Sequence, residues 1–490
     1  MRIIRWLAAL TGLLSVAAFA AIGDNAASTQ SAGTVIIDGV AVVDVVNGVV
    51  RSPMRVMVRS GRIVAVERAP RIGPPLEGDS VIDGRGKFLI PGLWDMHVHI
   101  DTTEAWFFPL AIAAGVTSVR DMGGLLSRVR EWKAPAKPGV LRPTIIASGP
   151  IVTGPIADTD SRLARVTSPA QASRAVDALL DRGVDFIKVH DWLSRDSYLA
   201  VTTEARRRGS YVAGHLPIAV DPVDAARARQ RSIEHMGNGW SGLLLFASAD
   251  RHLIDSVSKW ANVETGTSGL MKHFTPSWQR RLADNFSTSR ARSLCGTLAG
   301  GGVWLTPTTY FSAYLTLMPL DSSIVRDPRL NYLPRSIRDQ TQDVVPKERF
   351  SRAARRSPNV GVYEARARLI RICRDQGVRF LAGTDTGPYG PMIPGFSLHD
   401  ELARFVADGF TPLQALQAAT INPARFFRAT DTTGSVSPGK RADLVLLDAN
   451  PLTNINNIRR INAVIVNGTL IDQPHRQQML DSLAAKFATQ

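Results

Sequence analysis

Hydrophobic and polar positions along the chain fall into two textures. From Thr34 to about Leu89 the pattern is one of short β-branched runs, broken by Asp38-Gly39, Asn47-Gly48, Ser60-Gly61 and Asp83-Gly84. Such pairs supply the positive φ that tight hairpins require. The same texture returns near the other end, where 444–447 follows Pro438-Gly439 and 463–466 leads into Asn467-Gly468. Neither piece has enough strands to bury a core alone. Together they predict one small β-sandwich domain built from both ends of the chain, residues 34–89 and 434–472.

Between these pieces, strand and helix patterns alternate. Candidate strands at 117–121, 144–149, 186–190, 211–216, 232–236, 303–308 and 379–385 follow an opening strand at 89–100. Eight strands alternating with helices predict an α/β fold, a (β/α)8 TIM-like barrel over residues 90–433. The segment before 186 shows the local logic. Ser168-Pro169 supplies a cap and a first turn, Ala172, Val176, Leu179 and Leu180 form a stripe at helical spacing, and Gly183 ends the helix. Two inserts, 241–290 and 311–359, interrupt the alternation on the side where barrel loops build sites, and a helix is expected over 473–490.

Composition changes this picture little. Of 490 residues, 44% are hydrophobic and 21% charged, as in ordinary globular proteins. The formal net charge is +15, but the basic residues are dispersed without an aromatic-interleaved patch, which argues for a solvated basic surface and against nucleic acid. Arg2 and Arg5 precede an apolar run at 6–19 that ends in Ala18-Phe19-Ala20. That is the form of a Sec-type signal peptide (1–20) followed by a linker (21–33), and it predicts a periplasmic or secreted protein with no membrane anchor after cleavage. Cys295 and Cys373 each sit in an apolar helical pattern, which favours two buried thiols, although an oxidising compartment permits a disulfide. Oligomeric state is not legible, and a homo-oligomer is admissible.

Chemistry concentrates at strand ends. In Asp95-Met96-His97-Val98-His99, alternate side chains share a face, so His97 and His99 point together. Lys188, His215, His235 and Asp385 each stand at or near the C-terminal end of an expected strand, where barrel enzymes keep their reacting groups. Singly, each has a structural explanation. Six such residues in order along five strands form a metal-ligand set. Arg120, His190 and Tyr310 lie close enough to the same rim to be candidate substrate contacts; Arg120 and Asp121 could equally support the ligands from behind or form a rim ion pair, His190 could sit on an exposed loop, and lid packing is the favoured account of Tyr310. His399 is expected to cap or pack a helix.

The motifs Pro91-Gly92-Leu93-Trp94-Asp95-Met96-His97-Val98-His99, Gly115 to Asp121, Phe186-Ile187-Lys188-Val189, Gly214-His215, Ser232-Ile233-Glu234-His235, Ala382-Gly383-Thr384-Asp385-Thr386 and Ala419 to Ala424 carry a resemblance. With them, the chain resembles the amidohydrolase superfamily over about residues 34–472, near Xaa-Pro dipeptidases and imidazolonepropionase-related proteins. The resemblance implies two divalent metal ions, zinc being well suited. His97, His99 and Asp385 would hold the more buried ion, and His215 and His235 the more exposed one. Lys188, carbamylated, would bridge them. It further implies hydrolysis of an amide-type C–N bond in a small molecule (a dipeptide, an N-acyl amino acid or similar) by a shared metal-bridging hydroxide, with Asp385 as proton carrier. Relatives that cleave dipeptides often carry a tyrosine after the fifth-strand histidine; here His215 is followed by Leu216-Pro217. A lactone or cyclic-amide hydrolase on the same metals is the alternative, and a non-catalytic exported binding protein is a third.

Overall fold

A computed structural model describes residues 33–69, 79–136, 140–156, 160–236, 242–263, 272–317, 326–343, 358–387 and 392–488. The expected signal peptide and nearly all of the linker therefore lie outside the described residues. In chain order the strands are β1 (Val35–Asp44), β2 (Val49–Arg59), β3 (Arg62–Arg68), β4 (Ser80–Asp83), β5 (Phe88–Pro91), β6 (Leu93–Val98), β7 (Val116–Asp121), β8 (Thr144–Ala147), β9 (Ile151–Thr153) and β10 (Leu163–Arg165). They continue with β11 (Ile187–Val189), β12 (Val212–Gly214), β13 (Ser232–Glu234), β14 (Trp304–Thr306), β15 (Arg379–Phe380), β16 (Leu444–Leu447), β17 (Ile461–Val466) and β18 (Thr469–Ile471).

Residues from both ends of the chain do share one sheet, in the order β18-β17-β16-β5-β1-β2-β3 with β4 beside β1. Its strands pair as one mixed sheet. Edge strand β3 reaches back to the segment before β16, with Ile63 N donating to Lys440 O and Ala442 N to Gly61 O, both at 2.8 Å. The sheet thus wraps round its own apolar face, where Ile37, Val56, Leu89, Leu444 and Ile465 are buried together.

The middle of the chain forms two all-parallel sheets, β6-β7-β8 and β10-β9-β11-β12-β13-β14-β15. Backbone bonds also join β6 to the segment after β15: Met96 N to Ala382 O at 2.8 Å, Asp385 N to His97 O and His99 N to Thr386 O, both at 2.7 Å. The expected opening strand is two strands. Gly92 separates β5, in the mixed sheet, from β6, in the parallel one. A Cβ at Gly92 would stand 2.1 Å from Thr117 Oγ1, so only glycine lets the chain change sheets there. Few tertiary features are visible to a strand pattern, and this one is not.

Helices lie where sequence placed them. Pro169–Asp181 starts at Ser168, whose hydroxyl accepts from Gln171 N, and it buries Ala172, Val176 and Leu179. Where described, the two inserts are largely helical: Leu243–Phe246, Arg251–Val263 and Pro276–Asp284, then Thr309–Leu317 and Arg335–Asp343. Helix Gln473–Ala488 packs Leu480, Leu483 and Phe487 with Trp106 and Leu110 of helix Glu104–Ala113. No helix among the described residues is long and apolar enough to cross a membrane. Both cysteines are buried, as expected, but they are not thiols. Cys295 of helix Thr288–Gly300 and Cys373 of helix Pro358–Asp375 form a disulfide with Cα atoms 4.8 Å apart. The two helical patterns hide this because pairing depends on how the helices pack.

Candidate metal centre

The C-terminal ends of the parallel strands surround a cavity of about 200 Å³ lined by His99, Ile151, Lys188, His190, His215, His235 and Asp385. Five of the six ligand candidates are in that wall. The sixth, His97, is fully buried in β6, with Nε2 3.3 Å from Asp385 Oδ1. His99 Nε2 lies at the same distance from the same oxygen, and His235 Nδ1 is 3.9 Å from Asp385 Oδ2.

What orients His97 is a group that strand reasoning passed over. Its Nδ1 donates to Glu234 Oε2 at 3.0 Å, and both carboxylate oxygens accept from Arg120 Nη2, at 2.9 and 3.0 Å. Ser232 Oγ also donates to Glu234, and Arg120 gives its remaining donors to Met96 O and Ser232 Oγ. Because a carboxylate can only accept, this fixes the hydrogen of His97 on Nδ1 and aims the Nε2 lone pair at Asp385. In the same way His99 Nδ1 donates to Gly123 O at 3.0 Å, leaving its Nε2 toward Asp385. Glu234 was visible in the Ser232-Ile233-Glu234-His235 motif; a charged residue inside a central strand was the available signal.

Several site residues hold backbone conformations that side chains rarely adopt. His235 has φ +65°, Thr308 +47° and Asp385 +59°. In a regular strand, Glu234 and His235 would face opposite sides. Yet Glu234 bonds His97, and the His235 ring lies 4.6 Å from that of His97. The left-handed turn at His235 brings both to one centre, and Thr308 Oγ1 holds the His235 ring through Nδ1 at 2.8 Å. Such residues cost about 1–3 kcal/mol each and persist only where surroundings enforce them.

Electrostatics follow from burial and crowding. Burial pushes the His97 imidazolium well below its ordinary range and takes those of His190, His215 and His235 to about 3. Burial would raise Asp385, but His235, His97 and His99 outweigh it and hold the carboxyl well below its usual range. His99 rises despite burial, because of its bond to Asp385. Burial lowers the Lys188 ammonium to about 8.

Do these residues fit a metal ion? His97 Nε2 is buried with no hydrogen-bond partner in the protein, and it faces a carboxylate oxygen that His99 Nε2 also approaches. Lone pairs converging on an ionised carboxylate repel one another unless a proton or cation lies among them. The donors therefore fit a divalent cation. They fall into two groups, His97, His235 and Asp385, and His190, Asp191 and His215, each within 4.8 Å. The His235 ring stands between, 4.6 Å from His97 and 4.8 Å from His215.

Two substrate-contact candidates lie elsewhere. Arg120 is fully buried beneath the cavity, its donors spent as above and its guanidinium over the Phe186 and Phe426 rings. Tyr310 opens helix Thr309–Leu317, where its backbone N donates to Glu401, and its side chain packs against Tyr314 and Met392 rather than lining the cavity. Strand parity could not show either, since both depend on neighbours from distant segments. His190 is in the cavity wall. Asp121 is buried, accepting from Ile100 N and Gly123 N. His399, also buried, packs in helix Phe396–Ala407 with Nε2 2.8 Å from Ala114 O.

Residues 300–471 match the amidohydrolase family. Over 458 residues the chain is 24% identical to adenine deaminase 2 of Rhizobium meliloti (strain 1021), covering 89% of this chain but 56% of that protein. The chain thus spans about half the length of this curated relative. Bottromycin amidohydrolase has a similar fold at TM-score 0.68 and 22% identity, covering 97% of this chain and 94% of that one. A Xaa-Pro dipeptidase with bound methionine in its active site matches at TM-score 0.63 and 18% identity, covering 90% and 100%.

Proposed function

With residues 300–471 matching the amidohydrolase family, we propose that this chain is an exported, metal-dependent hydrolase that cuts an amide-type C–N bond in a small molecule. One observation carries the reading: His97 Nε2 and His99 Nε2 each stand 3.3 Å from Asp385 Oδ1, at a cavity that Lys188, His215 and His235 also line. We read the two parallel sheets as arcs of one (β/α)8 barrel, supported by the bonds between β6 and residues 382–386 and by Asp185 N donating to Ala147 O.

In this reading His97, His99 and Asp385 would hold the more buried of two divalent ions, while His215 and His235 would serve the more exposed one. Nitrogen and oxygen donors suit zinc. Bound metal would acidify water and polarise the scissile carbonyl. Lys188 cannot remain an ammonium beside two cations. Burial lowers the pKa of its ammonium, which favours the amine; that amine would add to carbon dioxide with release of a proton, giving an anionic carbamate with oxygen donors. Asp385, kept ionised by its imidazoles, accepts the proton of the attacking water and passes it to the leaving nitrogen. Amide nitrogen leaves poorly until protonated, so this transfer governs C–N cleavage. Glu234 and Arg120 keep His97 in the tautomer that the ion needs.

The decisive variant is Asp385→Asn. Because Asp385 is also a ligand in this reading, the variant is assayed with metal in excess; we expect turnover reduced by about 100-fold or more, and near-normal turnover would remove Asp385 from this role. Dipeptides, N-acyl amino acids and lactones, offered to the zinc-loaded protein, are the substrate classes to screen. The likeness to an adenine deaminase favours deamination as the second reading, and ammonia release from adenine would distinguish it. The buried Cys295–Cys373 disulfide supports export, because cytosolic disulfides are rare.

A further inference from the structure

Strands β11 and β12 pair Ile187 with Val212, Lys188 with Ala213 and Val189 with Gly214, so His190 and His215 leave adjacent strand ends side by side. Gly214 makes this approach close: it has φ +136°, and a Cβ there would lie 2.3 Å from Val189 O. The two imidazole rings are 4.4 Å apart and inclined by 32°. Asp191 follows directly, with Oδ1 3.0 Å from His215 Nδ1. One donor atom from each of the three lies within 4.8 Å of the others, both rings line the cavity, and His190 Nδ1 is buried without a hydrogen-bond partner in the protein.

We propose that His190, Asp191 and His215 form a divalent-cation seat, so that His190 and Asp191 become ligands of the more exposed ion instead of substrate or rim residues. The inference rests on the reading that the cavity loads metal, and deepens it. Two imidazoles and a carboxylate at one rim are a donor set suited to zinc, manganese, cobalt or ferrous iron. An ion there would engage the buried His190 nitrogen. The competing role for Asp191 is to orient His215 from outside the coordination sphere. Removing such an orienting partner costs about 10–100-fold in metal affinity, less than losing a ligand.

The test is equilibrium dialysis of the full chain against Zn2+, with Co2+ absorption as a second reading of coordination. The wild type is expected to bind about two ions per chain. His190→Gln and Asp191→Asn should each weaken one of these by well over 100-fold while retaining the other, which His97→Ala should lose instead. Thermal unfolding of the metal-free variants checks that each still folds. Two ions at near-wild-type affinity in both variants would overturn the seat and leave the hydrolase reading standing. A loss confined to Asp191→Asn, within about 100-fold, would also overturn it and make Asp191 an orienting group. A wild type that binds no metal would overturn the hydrolase reading, and the seat with it.

Discussion

Consecutive residues Glu234 and His235 both meet His97, one from beneath and one from the side. Glu234 is the more consequential for stability. It and Arg120 are both fully buried, and each is the other's charge partner. Removing one partner of such a pair leaves an uncompensated buried charge, which costs about 3–5 kcal/mol. Glu234→Gln should therefore destabilise the metal-free protein by about 3 kcal/mol. It should also weaken metal binding by about 10–100-fold, since an amide no longer fixes the His97 tautomer. Urea unfolding and dialysis read the two effects separately; a variant unchanged in both would show that the ion pair neither holds the core nor aims the ligand. The side chains that line the cavity were legible because histidines and an aspartate at strand ends leave a pattern. The groups that aim them were not, because Glu234 reaches His97 across 137 positions of sequence.

Between elements, the disulfide ties helix Thr288–Gly300 to helix Pro358–Asp375 across 78 positions of sequence. In the chain-entropy account, closing a loop of that length restricts the unfolded state by about 4.5 kcal/mol. Cys295→Ser with Cys373→Ser should lower stability by roughly that amount in urea unfolding, as should reductant with the wild type. A difference below about 1 kcal/mol would mean that helix packing alone holds the pair together. Periodicity placed both cysteines correctly on buried helix faces, yet no periodicity says which buried faces meet. The Gly92 break shares this cause: the stretch 89–100 looks like one strand until Thr117 arrives from another strand to exclude a side chain.

For the whole molecule, the proposed export and the Cys295–Cys373 disulfide make one joint prediction. Expressed in a Gram-negative host, the full chain should appear in the periplasmic fraction with Cys295 and Cys373 paired, while the chain without residues 1–20 should remain in the cytoplasm with free thiols. Cytoplasmic retention of the full chain, read by fractionation and thiol labelling, would sink the export reading. That strands from both ends share one sheet was legible, because the strand-rich pieces at 34–89 and 434–472 each lack enough strands to bury their apolar faces. The structure joins them through β5 and β16, which pair antiparallel from Phe88–Leu447 to Pro91–Leu444.

What the sequence determined by itself was periodic and local: alternating strands and helices, the glycine turns, and chemistry-bearing side chains at strand ends. These follow from backbone sterics and from burial of one face, which neighbouring residues specify. Only the tertiary structure decided which of those side chains meet. The positive φ of His235 and Asp385, the Arg120–Glu234 pair under His97 and the seating of His190 beside His215 each require segments distant in sequence to press against one another. Contacts of that kind repay conformational cost only once the surrounding core has formed.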